Sequence, residues 1–526
     1  MEQLNLKVLA CAFPTPAHAY YHIRVKVSGT KTNLKVNRIE GNGKWIRDFV
    51  VVHEDKAASS PLIDASYDSA ELIIRFDWQN GSQNNLSIAL EEEGGSTTTH
   101  TLDFTAPDFG GWWDTAWKYY ASVVVREQIG LARVNEPVHQ LVGVYNDRLD
   151  SAKKELRVVE VDSVSGVQRE IPSQVYNESR WEEFADEHCQ PTYSFDVAFL
   201  ANVQPYEHKV YLLFYGNPAA QDPNYCTDLY MSGEGLERRI GNAYYEVKLQ
   251  KESGSIEDII LKQGVNATFC HKLETNGAVQ WNPDIYAPPT PWNHISDWDP
   301  PAEYALEAGP IFVMMKRWGP MPMYDDVLCS STYMFYAGNP GIILQSTTEL
   351  TRDRDVVALR NGEIVLNREL VDEFAWKKTN GEVSTVRISD LPRHPAMGLY
   401  MDFKTPWFAL FNRERQAAVG VVNVELANIR KDKGLERFDP FQYVQAGPWV
   451  YVARPLVYSF VGTNPQRVLR AYGNSISYDK LAWIPHRLER EEDGMFDWME
   501  IANETLRSPL DTEFTLDTDE RVPTEW

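Results

Sequence analysis

The strongest constraint on this chain is a period of two. His22-Ile23-Arg24-Val25-Lys26-Val27 alternates cleanly between polar and apolar residues. Glu71-Leu72-Ile73-Ile74-Arg75-Phe76 and Ser87-Ile88-Ala89-Leu90-Glu91 do so less strictly. Successive side chains of a strand point to opposite faces, so such runs read as half-buried strands. Asn80-Gly81-Ser82 and Gly94-Gly95-Ser96 separate them, and short strands between such turns predict a β-sandwich. A second series holds Ser122-Val123-Val124-Val125, Gln140-Leu141-Val142-Gly143-Val144, Leu156-Arg157-Val158-Val159-Glu160-Val161 and Lys209-Val210-Tyr211-Leu212-Leu213-Phe214-Tyr215. A third region continues the pattern. Its Ile342-Ile343-Leu344-Gln345-Ser346-Thr347-Thr348 and Ala418-Val419-Gly420-Val421-Val422-Asn423-Val424 are apolar enough for strands buried on both faces.

Helical patterning is scarce. Asn464-Pro465 predicts a short helix running to Arg470, with a capping Asn and a first-turn Pro. The stretch from Arg180 to Glu187 reads as a short helix or an exposed acidic loop. At 526 residues the chain exceeds one ordinary core. The expected class is all-β, with two N-terminal β-sandwich domains followed by a large strand-rich C-terminal domain, which the resemblance given below implies is a β-super-sandwich. The expected boundaries are 1–108 (immunoglobulin-like or jelly-roll-like), 118–235 and 236–500, with an acidic surface tail at 501–526. Asp108-Phe109-Gly110-Gly111 is the expected linker.

Charge and motifs exclude several function classes. The net charge of −24 repels nucleic-acid phosphates, and no basic run of five offsets it. No apolar run approaches a membrane span. The five cysteines lie far apart and form no CxxC, which argues against a disulfide scaffold and a Cys-ligated zinc. That suits a reducing compartment, or a secreted protein needing no bridges. The opening residues lack signal-peptide character, as a trimmed signal would also leave them. There is no βαβ alternation, GxGxxG after a strand, GxxxxGK[ST], HExxH or GxSxG. No organic cofactor is therefore expected.

One hairpin carries a resemblance. Tyr245, Val247 and Leu249 share a face, Glu252-Ser253-Gly254 turns, and Ile256-Glu257-Asp258-Ile259-Ile260-Leu261 returns. A second strand-turn-strand lies at Pro406 to Arg415, returning through Ala418 to Val424. Together they resemble the galactose-mutarotase-like super-sandwich, over about residues 236–475. The resemblance implies a fold found in many polysaccharide lyases and as an accessory domain of glycoside hydrolases. It carries no catalytic motif. The all-β layout also resembles certain rhamnogalacturonan-type lyases, but with the super-sandwich last, so their catalytic residues do not transfer.

The densest candidate site is the run from Trp281 to Pro301. Its six prolines predict a long irregular loop, the kind of segment that carries binding sites on a rigid sheet. Trp281, Trp292 and Trp298 can stack on the apolar C–H faces of sugars, while Asn293 and neighbouring polar groups take the edges. Downstream, Arg317 and Trp318 precede Tyr324, and Arg393 stands beside His394. The expected function is cleavage of a poly- or oligosaccharide, by β-elimination at a uronate. His294 is the expected base, Tyr286 or Tyr324 the acid, and Arg317 the cation on the carboxylate; His394 is a further catalytic candidate, and Trp318 and Arg393 are expected to bind substrate. Two readings stand beside it. One is a glycoside hydrolase using paired carboxylates such as Asp297 and Asp299. The other is a non-catalytic carbohydrate-binding protein. Asp297 with Asp299, or Asp325 with Asp326, could also hold Ca²⁺.

Overall fold

The computed structural model describes residues 4–11, 22–54, 56–75, 82–92, 94–106, 113–180, 193–262, 267–270, 279–280, 283–391, 399–430, 436–437, 442–446, 450–458, 469–488 and 494–518. Strand accounts for 61% of it and helix for 5%, so the chain is all-β as expected. It divides into two compact units, Met1–Cys226 with Ser508–Trp526, and Thr227–Arg507. No helix among the described residues is long and apolar enough to cross a membrane. The expected linker at 108–111, the acidic stretch at 181–187 and the helix start at 464–468 lie outside the described residues.

In the first unit the alternation seen in the sequence builds a sandwich. One sheet runs Asn5–Cys11, His22–Ser28, Ser69–Arg75, Phe49–His53, Lys56–Ala57. The other runs Thr97–Thr105, Gln83–Glu92, Leu34–Gly41, Lys44–Ile46. Ile23, Val25, Ile39, Leu72, Ile74 and Ile88 fill the core between them. A second pair of sheets follows. The strands Gln168–Ile171, Leu156–Val161, His208–Tyr215, Tyr119–Arg126 and Asp511–Thr518 form one, and Arg133–Val144, Tyr193–Val203 and Ser173–Arg180 form the other.

The five-stranded member of this second pair is buried on both faces. Val123, Val125 and Leu213 pack against Val197 and Phe199. Val124, Leu212 and Phe214, pointing the other way, join the core of the first sandwich. That explains why its sequence is continuously apolar rather than alternating. The two sandwiches are thereby fused into one unit.

The C-terminal segment departs from the expected surface tail. Asp511–Thr518 is a strand, antiparallel to Tyr119–Arg126, with Phe514 opposite Val123 and Thr512 opposite Val125. Phe514 packs on the core, and Arg126 forms ion pairs with Asp511 and Glu513. Thr512-Glu513-Phe514 has a strand's alternation, and the acids that suggested a tail find their guanidinium across the ladder.

The second unit holds two large antiparallel sheets, of 12 and 10 strands, in the super-sandwich layout. The quoted hairpin forms: Tyr245–Leu249 pairs with Ile256–Leu261, and Tyr245, Val247 and Leu249 are buried on one face. Gly254 turns it with φ +67°, a left-handed backbone that favours glycine. Leu469–Ala471, expected as the end of a helix, is instead a strand paired with Arg354–Val356. Polar side chains link the layers. Buried Arg454 bonds Asp479 and Asn423 of the opposite sheet, and Ser477 bonds Asn361 and Asn428. Among the described side chains, Cys226 and Cys329 are free thiols.

A helix the alternation does not announce, Asp497–Arg507, covers the strand Ala417–Arg430. That covering is why Ala417 to Val422 is buried on both faces. The approach depends on Gly420. A methyl there would sit 2.1 Å from Met499 Sδ and 2.7 Å from the Trp498 ring. Gly420→Ala is expected to cost the second unit about 1–3 kcal/mol, the usual penalty for overpacking. A lowered urea midpoint for that unit is the check, and an unchanged midpoint would mean the helix tolerates a side chain there.

Candidate functional site

The expected irregular loop is partly regular. Asp284–Tyr286 is a short strand of the 12-stranded sheet, paired on one side with Asn293–His294 and on the other with Ala358–Arg360. A single 3₁₀ turn, Ile295–Asp297, follows. Pro288, Pro289 and Pro291 fall in the connection between the two strands, where no ladder bond is lost. Asp284 thus stands directly opposite both His294 and Arg360.

This register builds the site. Asp284 is fully buried and accepts two bonds from Arg360 Nε, at 2.8 and 3.0 Å, with Arg360 Nη2 a further 2.7 Å from Oδ2. Arg360 Nη1 reaches the hydroxyl of buried Tyr443 at 3.3 Å. Above the pair lies an aromatic column. Tyr286 stacks on Trp292 at 5.3 Å and 20°, and Trp292 on His294 at 6.2 Å and 15°. The Arg360 guanidinium sits 4.7 Å from the Trp292 centroid. Tyr286 and Trp292 are half-buried, so the column presents an aromatic edge to solvent over a neutralised charge pair.

His294 is held from both sides. Its backbone N–H donates to Asp297 Oδ2 at 2.8 Å, and Nδ1 lies 3.3 Å from the same oxygen. Nε2 is 3.9 Å from Asp284 Oδ2, beyond hydrogen-bond reach. The His294 side chain is 9% exposed. Asn293 is also buried, its amide donating to the Pro291 carbonyl at 2.7 Å.

Other expected site residues take supporting places. Trp298 is buried in an apolar cluster with Ile285, Ile295 and Tyr324, and its Nε1–H donates to the Pro320 carbonyl at 2.8 Å. It pins the loop instead of lining an open face. Tyr324 is buried beside Thr290 and Ala287, and burial pushes its phenol up. Arg317 is fully buried. Nη1 donates to Ser253 O and Ser255 Oγ at 2.8 Å, and Nη2 to Ser331 Oγ at 2.9 Å and Tyr333 OH at 2.8 Å. All four terminal donors are taken by the sandwich interior, which corrects the expectation of a carboxylate clamp there. Its neighbour Trp318 points the other way, half-buried beneath the Lys316 ammonium. Trp281, Arg393 and His394 lie outside the described residues.

Among the described residues no group of three His, Cys, Asp or Glu side chains could hold a metal. Burial pushes the Asp326 carboxyl up, but hydrogen bonds from Arg354 and Arg352 carry it below its ordinary value. Asp325 is bonded to Arg352 at 2.9 Å. Asp297 serves His294, and Asp299 is exposed.

Sequence reasoning missed Asp284 as a site residue, and with it Arg360 and Tyr443. A signal existed. Arg360 follows Val356-Val357-Ala358-Leu359, and a cation directly after an apolar run in a buried segment needs a partner.

No family model matches this sequence, and no curated protein does. Solved structures do. A protein of glycosyl hydrolase family 38 from Enterococcus faecalis aligns over 77% of this chain and 48% of its own, at 11% identity and a TM-score of 0.47. An alpha-mannosidase from Enterococcus faecalis aligns over 79% of this chain and 48% of its own, at 12% identity and a TM-score of 0.47. A galactose mutarotase-like protein from Lactobacillus casei aligns over 49% of this chain and 100% of its own, at 9% identity and a TM-score of 0.31. This chain therefore spans just under half the length of the first two.

Proposed function

We propose that the protein is a carbohydrate-active enzyme that holds a saccharide against the Tyr286–Trp292 edge and cleaves it by β-elimination at a uronate. The observation that carries this is the half-buried Tyr286–Trp292 stack, with rings 5.3 Å apart and the Arg360 guanidinium 4.7 Å from the Trp292 centroid. An exposed aromatic edge of this kind gives the C–H side of a pyranose an apolar contact. His294, oriented through Asp297, is the group that takes the C5 proton. The electrons of that bond form the C4–C5 double bond as the C4–O bond breaks, and Tyr286 gives its proton to the departing oxygen. Arg360, bound to Asp284 and Tyr443, supports the column from beneath and is already engaged, as Arg317 is. Hydrolysis by paired carboxylates is less well supported. Asp284 is bonded to Arg360 and Asp297 to His294, so both carboxylates are already engaged within the hairpin. The near-burial of His294 favours one further reading, a saccharide-binding protein without catalysis.

The test is incubation with uronate glycans, following the ultraviolet absorbance of an unsaturated product. Trp292→Ala should lower kcat/KM about ten-fold or more through the lost aromatic contact. Reducing ends without that absorbance would replace elimination by hydrolysis. Binding without product would leave only the saccharide-binding reading.

A further inference from the structure

The first unit carries an exposed indole that the candidate site does not use. Trp45 is 56% exposed. A tryptophan left so open on a sandwich face is informative, because burying it would be favourable. It sits on the short strand Lys44–Ile46, at one edge of the sheet that continues through Leu34–Gly41 and Gln83–Glu92 to Thr97–Thr105. The inner face of that sheet is core: Val36, Ile39, Ile46, Leu86 and Ile88. The outer face is a different surface. Trp45 lies opposite Glu40, Glu40 opposite Ser87, and Ser87 opposite Thr101. In the next row Arg38 lies opposite Ala89, and Ala89 opposite Thr99. An aromatic ledge thus borders a floor of short, mostly hydroxylated side chains.

The ledge is cationic. The Arg47 guanidinium lies 4.1 Å from the Trp45 centroid and that of Arg38 5.6 Å away. Arg38 also pairs with Glu40 at 2.5 Å. Lys44 is exposed beside them. In a chain of net charge −24, this grouping of cations around a ring is complementary to an anion.

We propose that this outer face is a second saccharide-binding face, which takes an extended acidic glycan chain with one ring against Trp45 and a carboxylate against Arg47. Guanidinium pairs bidentately with carboxylate, while the indole meets the apolar side of the same sugar. The floor at Ser87, Thr99 and Thr101 leaves room for neighbouring sugar units and offers them hydroxyls. The inference shares its substrate class with the proposed function, but not its residues. It would hold the polymer without cutting it.

The test is native gel electrophoresis of the full chain through soluble polygalacturonate, with neutral galactan as the comparison. Wild type should be retarded by the acidic polymer alone. Trp45→Ala should weaken the apparent affinity about ten-fold, the scale of one lost aromatic contact. Arg47→Glu should weaken it too, and added salt should reduce the wild-type retardation. Trp45→Ala should retain the wild-type urea midpoint and the wild-type action on short oligouronides. Trp292→Ala should keep the part of the retardation that Trp45→Ala removes, so failure of the elimination reading leaves this result intact. Retardation that survives both Trp45→Ala and Arg47→Glu overturns the proposal. So does a wild type that polygalacturonate does not retard, or that neutral galactan retards equally.

Discussion

Replacing Arg360 by methionine is expected to destabilise the second unit by about 3–5 kcal/mol, the usual result of breaking a buried ion pair from one side. Asp284 is fully buried, and Arg360 supplies three close nitrogen–oxygen contacts to it. Methionine keeps the length and packing of the side chain but leaves the carboxylate without its cation. The Tyr443 hydroxyl loses a donor at the same time. The loss should appear as a lower urea midpoint for the second unit. Adding Asp284→Leu should recover most of it, since an apolar pair needs no compensation. If the single variant unfolds at the wild-type midpoint, the pair is not the anchor of the aromatic column.

The second large effect follows pH. Burial pushes His486 down to about 4, and its ring stacks on Trp498 at 4.3 Å and 13°. In the unfolded chain the same group titrates near 6.5. The unfolded state therefore binds more protons between those values, and stability rises with pH across the window. Above 6.5 both states are neutral at this group and nothing changes. As pH falls from 6.5 to 4, the second unit should lose about 3 kcal/mol from this residue alone. His486→Phe retains a ring against Trp498 and should flatten that part of the profile. Thermal melts of the second unit across the window are the measurement. Identical profiles for variant and wild type would show that protonation of His486 does not weaken the helix contact.

The period-two runs were legible because each strand there has one wet face. His22–Ser28 and Gln83–Glu92 follow the alternation residue by residue. The same rule says less where both faces are covered. Val123-Val124-Val125 announces a buried strand but not which cores it serves. The helix Asp497–Arg507 was missed because its apolar stripe is narrow, and Met499 is its buried residue. In the site, Tyr286, Trp292, Asn293 and His294 do come together, since they lie within one short hairpin. Arg360 and Tyr443 come from distant strands, and only sheet register brings them to Asp284. Arg317 misled because a cation beside tryptophans suggests a ligand. Alternation turned it inward, where serine and tyrosine oxygens had to satisfy it.

The strand Asp511–Thr518 bears on biosynthesis. It completes a sheet begun by Tyr119–Arg126, yet the whole second unit is translated between the two. A growing polypeptide therefore leaves the ribosome with that sheet margin open until the strand after the second unit has emerged. Chaperones that shield unpaired backbone have their longest opportunity at this margin. A stop codon just after Arg507 would leave a product whose second unit is whole and whose first unit presents a bare ladder to its neighbours.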